Sequence, residues 1–142
     1  MAPLTSSPLK GRMVKILIVD DELVGLKKAE KILAGFGECH LAVDGLKALE
    51  SFIRAFHKGE PYNLVALDIF MPGMDGVEVV KTIRVWEKFY KIPADRAAKI
   101  LMLTAGKKHE HIWRSFQEGC DGYIRKPFTK AQLIDAVIRL GF

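Results

Sequence analysis

Short apolar runs alternate with longer segments of helical period along most of the chain. Short, largely apolar runs are typical of parallel strands that are buried on both faces and joined by crossover helices. Five such runs are the predicted strands: Lys15–Val19, Cys39–Val43, Leu64–Leu67, Ile100–Leu103 and Gly122–Ile124. The pattern therefore predicts an α/β fold built on a parallel sheet.

Each predicted strand is followed by a segment that repeats apolar residues at three and four positions, which predicts a helix. The first helix is predicted to end near Gly37, and Pro93 is predicted to stop the third. Capping residues mark three helix starts: Asp44, Asp75 with Glu78, and Thr129 with Gln132. The apolar positions of the five predicted helices are Leu23, Leu26, Leu33 and Phe36; Leu49, Phe52, Ile53 and Phe56, which are predicted to be a buried stripe; Val79, Val80 and Ile83; Ile112, Trp113 and Phe116; and Leu133, Ile134, Val137, Ile138 and Leu140.

The size and composition of the chain suit one domain. A chain of 142 residues with 49% hydrophobic composition can bury roughly two thirds of the surface that its unfolded form exposes. Cys39 and Cys120 match no metal-ligand spacing and are expected to be free thiols in a reducing cytoplasm. No apolar run approaches the roughly twenty residues of a membrane span. We expect a soluble, cytoplasmic domain over residues 13–142, preceded by a flexible tail over residues 1–12.

The net charge of +5 raises the question of a nucleic-acid partner. Lysine and arginine are scattered among acidic residues, without a dense basic run or a recognisable DNA-binding motif. We therefore expect neither a nucleic acid nor a membrane as a partner.

Polar residues follow four of the five predicted strands at the point where each strand ends. Asp20 and Asp21 follow the first, Asp68 the third, Thr104 the fourth and Lys126 the fifth. In open parallel sheets ligands bind beyond these carboxyl ends. Three carboxylates about 4 Å apart repel one another by on the order of 4 kcal/mol per pair at an effective dielectric near 20, so the cluster favours a cation. Because the available ligands are all oxygens, Mg²⁺ is the predicted ion.

A phosphoryl group fits this arrangement. Mg²⁺ and Lys126 together can neutralise a phosphoryl group on Asp68, which is then the nucleophile. Taken alone, Asp20 and Asp21 can be a loop start and a helix cap, and Thr104 a solvated loop hydroxyl. Their occurrence together with Asp68 and Lys126 favours the phosphoryl site.

From Met13 to its end the chain resembles the response-regulator receiver family of two-component signalling, which has a chemotaxis-regulator-like fold. The matching segments read ILIVDDE, LVALDIFMPGMDG, ILMLTAG and GYIRKPF, in that order. The resemblance implies a doubly wound, flavodoxin-like parallel sheet of five strands, ordered 2-1-3-4-5, with five helices. It also implies that a sensor histidine kinase or a histidine phosphotransfer protein donates a phosphoryl group to Asp68. A downstream protein partner would then recognise a face formed by the fourth helix, fifth strand and last helix.

The same resemblance implies the ligands of the magnesium ion. Asp21 would bind Mg²⁺ directly, Asp20 through water, and Asp68 and the backbone carbonyl of Phe70 would complete the protein ligands.

It further implies the residues that bind the phosphoryl group and operate the switch. Thr104 would contact a phosphoryl oxygen, Lys126 would balance its charge, and Tyr123 would rotate between inward and outward positions. The bond between Lys126 and Pro127 would be cis, which orients the lysine. Taken alone, Tyr123 can be a half-buried strand aromatic.

Other functions remain as alternatives. A dehalogenase-type phosphatase with an aspartyl-phosphate intermediate needs a second aspartate two residues beyond the nucleophile, where this chain has Phe70. A non-phosphorylated adaptor with the same fold usually lacks part of the acidic cluster, which is complete here. A nucleotide-binding enzyme is disfavoured because no glycine-rich phosphate loop follows the first strand. His109 and His111 are interpreted as solvated residues, since two histidines two positions apart on a helix do not share a face.

One segment departs from the family pattern. Residues from Arg84 to Lys99 form a longer stretch than in compact receivers, which predicts either an extended third helix or a loop. Longer segments at this place are similar to those of receivers attached to hybrid sensor kinases.

Overall fold

The computed structural model describes residues 13–106 and 109–142. The predicted tail, residues 1–12, lies outside the described residues. Five strands are present in the described part: β1 (Val14–Val19), β2 (Gly37–Ala42), β3 (Leu64–Asp68), β4 (Lys99–Thr104) and β5 (Gly122–Arg125). The helices of this part are α1 (Leu23–Leu33), α2 (Gly45–His57), α3 (Gly76–Phe89), α4 (His109–Glu118) and α5 (Lys130–Arg139), with a short 3-10 turn at Ala94–Arg96.

All strand pairs are parallel, in the order β2-β1-β3-β4-β5, which confirms the predicted doubly wound fold. The register aligns the carboxyl ends of the central strands, since Val19 pairs with Leu67 and Thr104 pairs with Arg125. The residues that follow β1, β3, β4 and β5 therefore meet at one edge of the sheet.

The core lies on both faces of the sheet, because alternate residues of each buried strand point to opposite sides. On one face Leu17 and Val65 pack against α2 and α3, and on the other Ile18 and Ala66 pack against α1 and α5. α4 packs beside α3. Burial on both sides explains why the strands read as continuous apolar runs in the sequence.

The first helix is shorter than predicted. α1 ends at Leu33, and Gly37 is the first residue of β2 instead of the helix stop. A Cβ atom at position 37 would lie 2.0 Å from the carbonyl oxygen of Val14, so only glycine allows the two strands to start side by side. Leu23, which was placed on the apolar face of the first helix, is 64% exposed at the first turn of α1.

Two further helices expose some of the apolar residues that marked them in the sequence. Trp113 and Phe116 on α4 are 63% and 42% exposed, and Ile138 on α5 is 54% exposed. α4 buries only Ile112 and Ser115 because it packs along α3 near the edge of the sheet. The periodicity of apolar residues in α4 therefore predicted the helix correctly, although two of the three residues that marked it are exposed.

Helix caps formed where the sequence placed them. The Asp44 side chain accepts a hydrogen bond from the Lys47 N–H, and that of Asp75 accepts one from the Glu78 N–H. Thr129 and Gln132 form both hydrogen bonds of a capping box at the start of α5. Each cap satisfies a backbone N–H that lacks a partner within its helix.

The segment from Arg84 to Lys99 contains both structures that were predicted as alternatives. α3 continues to Phe89, and the chain then turns through Lys91, whose φ is 55°, into the 3-10 turn. Pro93 precedes that turn, so the helix has already ended when the chain reaches the proline. The residues between α3 and β4 therefore form a turn and a short 3-10 segment that lead directly into β4.

An ionic network around the buried Glu87 carboxylate holds this connection. Glu87, 6% exposed, accepts hydrogen bonds from the Arg84 guanidinium at 2.6 Å and from the Ala98 N–H at 2.8 Å. Arg84 also donates to the Gly119 carbonyl at 2.9 Å and to the Asp121 carboxylate at 2.8 Å. The network joins α3, the start of β4 and the turn before β5.

Cys39 and Cys120 are free thiols, as predicted. Within the described ranges, 13–106 and 109–142, no helix combines the length and the apolar character that crossing a membrane requires.

Candidate functional site

Three aspartates meet at the carboxyl edge of the sheet. Asp20, Asp21 and Asp68 each offer a carboxylate oxygen, and these oxygens all lie within 4.8 Å of one another. Asp20 is 1% exposed and Asp68 is 4% exposed, whereas Asp21 is exposed at the surface. Two carboxylates are thus buried at the ends of β1 and β3, with a third at the mouth of the site.

Lys126 faces this cluster from the end of β5. Its Nζ lies 2.7 Å from Asp20 Oδ2 and 3.4 Å from Asp68 Oδ2. The Lys126 N–H donates to the Thr104 carbonyl at 2.8 Å, which fixes the backbone beside β4. The peptide bond between Lys126 and Pro127 is cis, the geometry that the family resemblance implies. The two Nζ distances show that the lysine side chain reaches across the sheet edge to both buried carboxylates.

Burial and charge set the protonation of the site. Burial raises the pKa of Asp68 to about 6, with Lys126 opposing the shift and Asp20 adding to it. Burial alone would lower the pKa of Lys126, but its hydrogen bond to Asp20 and the charge of Asp68 outweigh burial, so that pKa is raised. At neutral pH Lys126 is therefore charged, and most Asp68 side chains are carboxylates.

Backbone groups and a buried hydroxyl complete the surroundings of Asp68. Its Oδ1 accepts a hydrogen bond from the Phe70 N–H at 3.2 Å. Thr104, 1% exposed at the end of the neighbouring β4, accepts a hydrogen bond from the Gly106 N–H at 3.1 Å. A hydroxyl that accepts one hydrogen bond can still donate one, which suits it to an anionic oxygen.

Tyr123 lies away from the acidic cluster in this structure. Its side chain is 44% exposed, and its ring lies edge to face with Phe116 of α4 at a centroid distance of 6.0 Å. The ring is therefore in an outward position, one of the two positions that the family resemblance implies. A groove of about 330 Å³ between β5 and α5 lies beside it.

The structure adds two residues that sequence reasoning did not place at the site. A Cβ atom at Gly25 of α1 would lie 2.7 Å from Asp20 Oδ2, so this glycine leaves room for the buried carboxylate. A glycine inside a helix, where it costs about 1 kcal/mol relative to alanine, was the available signal. His111, interpreted from the sequence as a solvated residue, instead places its ring 4.8 Å from that of Phe70. No sequence signal indicated that contact.

Comparisons with known proteins agree with this geometry. The sequence pattern of the response regulator receiver domain matches residues 16–138. The chemotaxis protein CheY-3 of Vibrio cholerae is 39% identical over 122 residues, covering 84% of this chain and 85% of that protein. The sensor protein GacS of Pseudomonas syringae is 32% identical over 135 residues, covering 93% of this chain and 14% of that protein.

A solved structure extends the comparison to three dimensions. The CheX–CheY–BeF3–Mg²⁺ complex of Borrelia burgdorferi matches with a TM-score of 0.75 at 26% identity, covering 91% of this chain and 90% of that chain. The family pattern spans all four strand ends that form the acidic site. The chain therefore belongs to the response-regulator receiver domain family of two-component signalling.

Proposed function

We propose that this chain accepts a phosphoryl group onto Asp68 from the phosphohistidine of a sensor histidine kinase or a histidine phosphotransfer protein. The observation that carries the proposal is the buried Asp68 carboxylate, with two further carboxylates beside it and the Lys126 ammonium 3.4 Å away. In the transfer, a carboxylate oxygen of Asp68 attacks phosphorus as the bond from phosphorus to the donor histidine nitrogen breaks. The chain acts as a phosphoacceptor switch and is not an enzyme with a separate substrate.

The charges of the site support a divalent cation. Three carboxylates against one ammonium leave an excess of negative charge, and all the carboxylate ligands are hard oxygens. We assign Asp21 as a direct ligand, Asp20 as a ligand through water, and Asp68 with the Phe70 carbonyl as the remaining protein ligands. When bound, Mg²⁺ supplies neutralisation of the charge on the phosphoryl oxygens.

Lys126 and Thr104 are proposed to bind the phosphoryl group from the other side. The Lys126 Nζ already lies 3.4 Å from Asp68 Oδ2. Thr104 lies on the adjacent strand, one residue beyond the position that pairs with Asp68, and its side chain is buried. The Lys126 ammonium, held beside Asp20 before the reaction, stabilises the transferred charge without reorganising, and the Thr104 hydroxyl donates to a phosphoryl oxygen once that group is present. The role of these two residues is therefore electrostatic.

Movement of Thr104 toward the phosphoryl oxygens is proposed to change the face formed by α4, β5 and α5. Tyr123, which is outward against Phe116, would then turn inward and alter the surface next to the groove between β5 and α5. A downstream protein partner would bind this face in only one of the two states, with Tyr123 either outward or inward.

The test is uptake of a phosphoryl group from acetyl phosphate, followed by intact mass. We expect the wild-type chain to gain one phosphoryl group with Mg²⁺ and none after chelation of the metal. Asp68→Asn should gain none, whereas Asp95→Asn, an exposed carboxylate in the 3-10 turn, should behave as wild type. Uptake by Asp68→Asn at the wild-type rate would show that Asp68 is not the acceptor.

The switch has its own test, which is amide hydrogen exchange with and without beryllofluoride, a phosphoryl mimic. We expect altered exchange in β5 and the start of α5 around Tyr123. Equal exchange there in both states would contradict the proposed change of the α4, β5 and α5 face.

A further inference from the structure

The Phe70 side chain connects the loop after β3 with helix α4. Its ring lies edge to face against the His111 imidazole, with centroids 4.8 Å apart and an interplanar angle of 80°. Phe70 is two residues beyond Asp68, and His111 is in the first turn of α4. The contact therefore joins the loop after β3, which begins just beyond Asp68, to α4, the helix that follows β4.

Gly106 shows where the Phe70 ring lies relative to the site. A Cβ atom at Gly106 would lie 2.5 Å from Phe70 Cε2 and 3.4 Å from Thr104 Oγ1. The ring edge and the Thr104 hydroxyl thus border the same small space, which only glycine leaves open. The Phe70 ring forms a wall on the side of the site where β4 ends.

We propose that His111 is a positioning residue that holds Phe70 in this place and thereby slows hydrolysis of the phosphoryl group. The proposal rests on phosphorylation of Asp68. Because Phe70 is 42% exposed, burial alone does not fix its side chain in one rotamer. The edge-to-face contact with His111 favours the rotamer seen here. His111 acts through Phe70 and does not itself touch the reacting atoms.

The hydrolysis step shows why the ring position matters. A water oxygen attacks phosphorus, the bond between phosphorus and the Asp68 oxygen breaks, and carboxylate and inorganic phosphate are released with one proton passing to solvent. The water must approach in line with the breaking bond. An apolar ring beside that path hinders the approach and offers no group to orient the water.

The first measurement is the decay of phosphoprotein after removal of acetyl phosphate, at constant Mg²⁺. His111→Ala should decay about threefold faster, within the two- to tenfold range that loss of one aromatic pair can produce. His111→Phe keeps a ring edge and should decay at the wild-type rate. His109→Ala, which removes an exposed imidazole from the same helix turn, is the matched control and should also be unchanged.

A double-mutant cycle separates positioning from a general effect on the fold. In a Phe70→Ala background, adding His111→Ala should not change the decay rate further, because the ring that His111 holds is gone. A wild-type decay rate in His111→Ala, or the same acceleration with and without Phe70, would overturn the proposal.

A second measurement follows the ring without phosphorylation. In protein labelled with fluorophenylalanine, with Phe70 assigned from a Phe70→Leu variant, His111→Ala should shift or average the Phe70 fluorine resonance, and His109→Ala should not. An unchanged resonance in His111→Ala would contradict the positioning role, even if the chain is phosphorylated.

A shifted resonance with unchanged decay would show that the ring position does not govern hydrolysis. Absence of any phosphoryl uptake by the wild type would overturn the proposed function and this inference with it.

Discussion

The Lys126 ammonium lies 2.7 Å from the Asp20 carboxylate, although the two residues are 106 positions apart in the sequence. The Asp20 side chain is 1% exposed and that of Lys126 is 18% exposed, so the two charges are largely removed from solvent together. Such a carboxylate is tolerated only because a cation neutralises it. Lys126 is therefore the structural counterion of the Asp20 carboxylate when no phosphoryl group is present.

Replacement of Lys126 tests that structural role. Lys126→Met leaves the buried Asp20 carboxylate without its ammonium, and we expect the free energy of unfolding in EDTA to fall by about 3 kcal/mol. Addition of Mg²⁺ should recover part of the loss, since a cation at the acidic cluster replaces the missing charge. Lys130→Met, at an exposed position of α5, is the control and should change stability little. The measurement is urea unfolding, and equal stabilities of Lys126→Met and wild type would refute the role.

Removal of the Asp68 charge should have the opposite effect. The folded-state pKa of about 6 is above the ordinary value of 3.8, so the stability that this group contributes is present below pH 3.8 and is lost as pH rises through 6. Asp68→Asn should therefore stabilise the metal-free chain above pH 6, by on the order of 1–2 kcal/mol.

This gain should shrink as pH falls from 7.5 to 5, measured by urea unfolding in EDTA. Asp95→Asn, at an exposed site, should show neither the gain nor its pH dependence. A loss of stability in Asp68→Asn at pH 7.5 would mean that the carboxylate is stabilised by its neighbours instead of strained by burial.

The side chain at position 70 is predicted to set the lifetime of the phosphorylated state. Phe70→Asn replaces the ring beside the path of the attacking water with an amide that can orient that water. We expect phosphoprotein to decay faster, by up to about tenfold, which corresponds to roughly 1.4 kcal/mol of barrier. Decay is followed by intact mass after removal of the phosphodonor at fixed Mg²⁺. Equal or slower decay would mean that Phe70 does not obstruct the water.

The buried carboxylate of Glu87 is predicted to fix the connection from α3 to β4. Glu87→Ala leaves the Ala98 N–H without its acceptor and Arg84 without one of its partners, so we expect stability to fall by about 2 kcal/mol. Glu87→Gln keeps an acceptor oxygen for the Ala98 N–H and should lose less. Glu50→Ala, an exposed position of α2, should have little effect on the unfolding midpoint. Similar midpoints for Glu87→Ala and Glu50→Ala would contradict the proposed network.

The sequence by itself determined the order of the elements and the residues at the strand ends. Burial on both sheet faces makes each strand a continuous apolar run, and crossover helices repeat apolar residues at helical spacing, so both signals are local. Caps such as Asp44 and Thr129 were also local, because their hydrogen bonds reach only three residues ahead. These features predicted the α/β class and the acidic cluster without any knowledge of contacts.

The tertiary structure decided the features that depend on distant neighbours. Whether Trp113 and Phe116 are buried depends on how closely α4 packs against α3, which helical periodicity does not encode. The start of β2 at Gly37 follows from its contact with Val14 across the sheet. The contact between Phe70 and His111 and the raised pKa of Asp68 likewise arise only when separate loops meet at one edge. Residue type and spacing specify which groups are available, whereas distance and burial specify how strongly they interact.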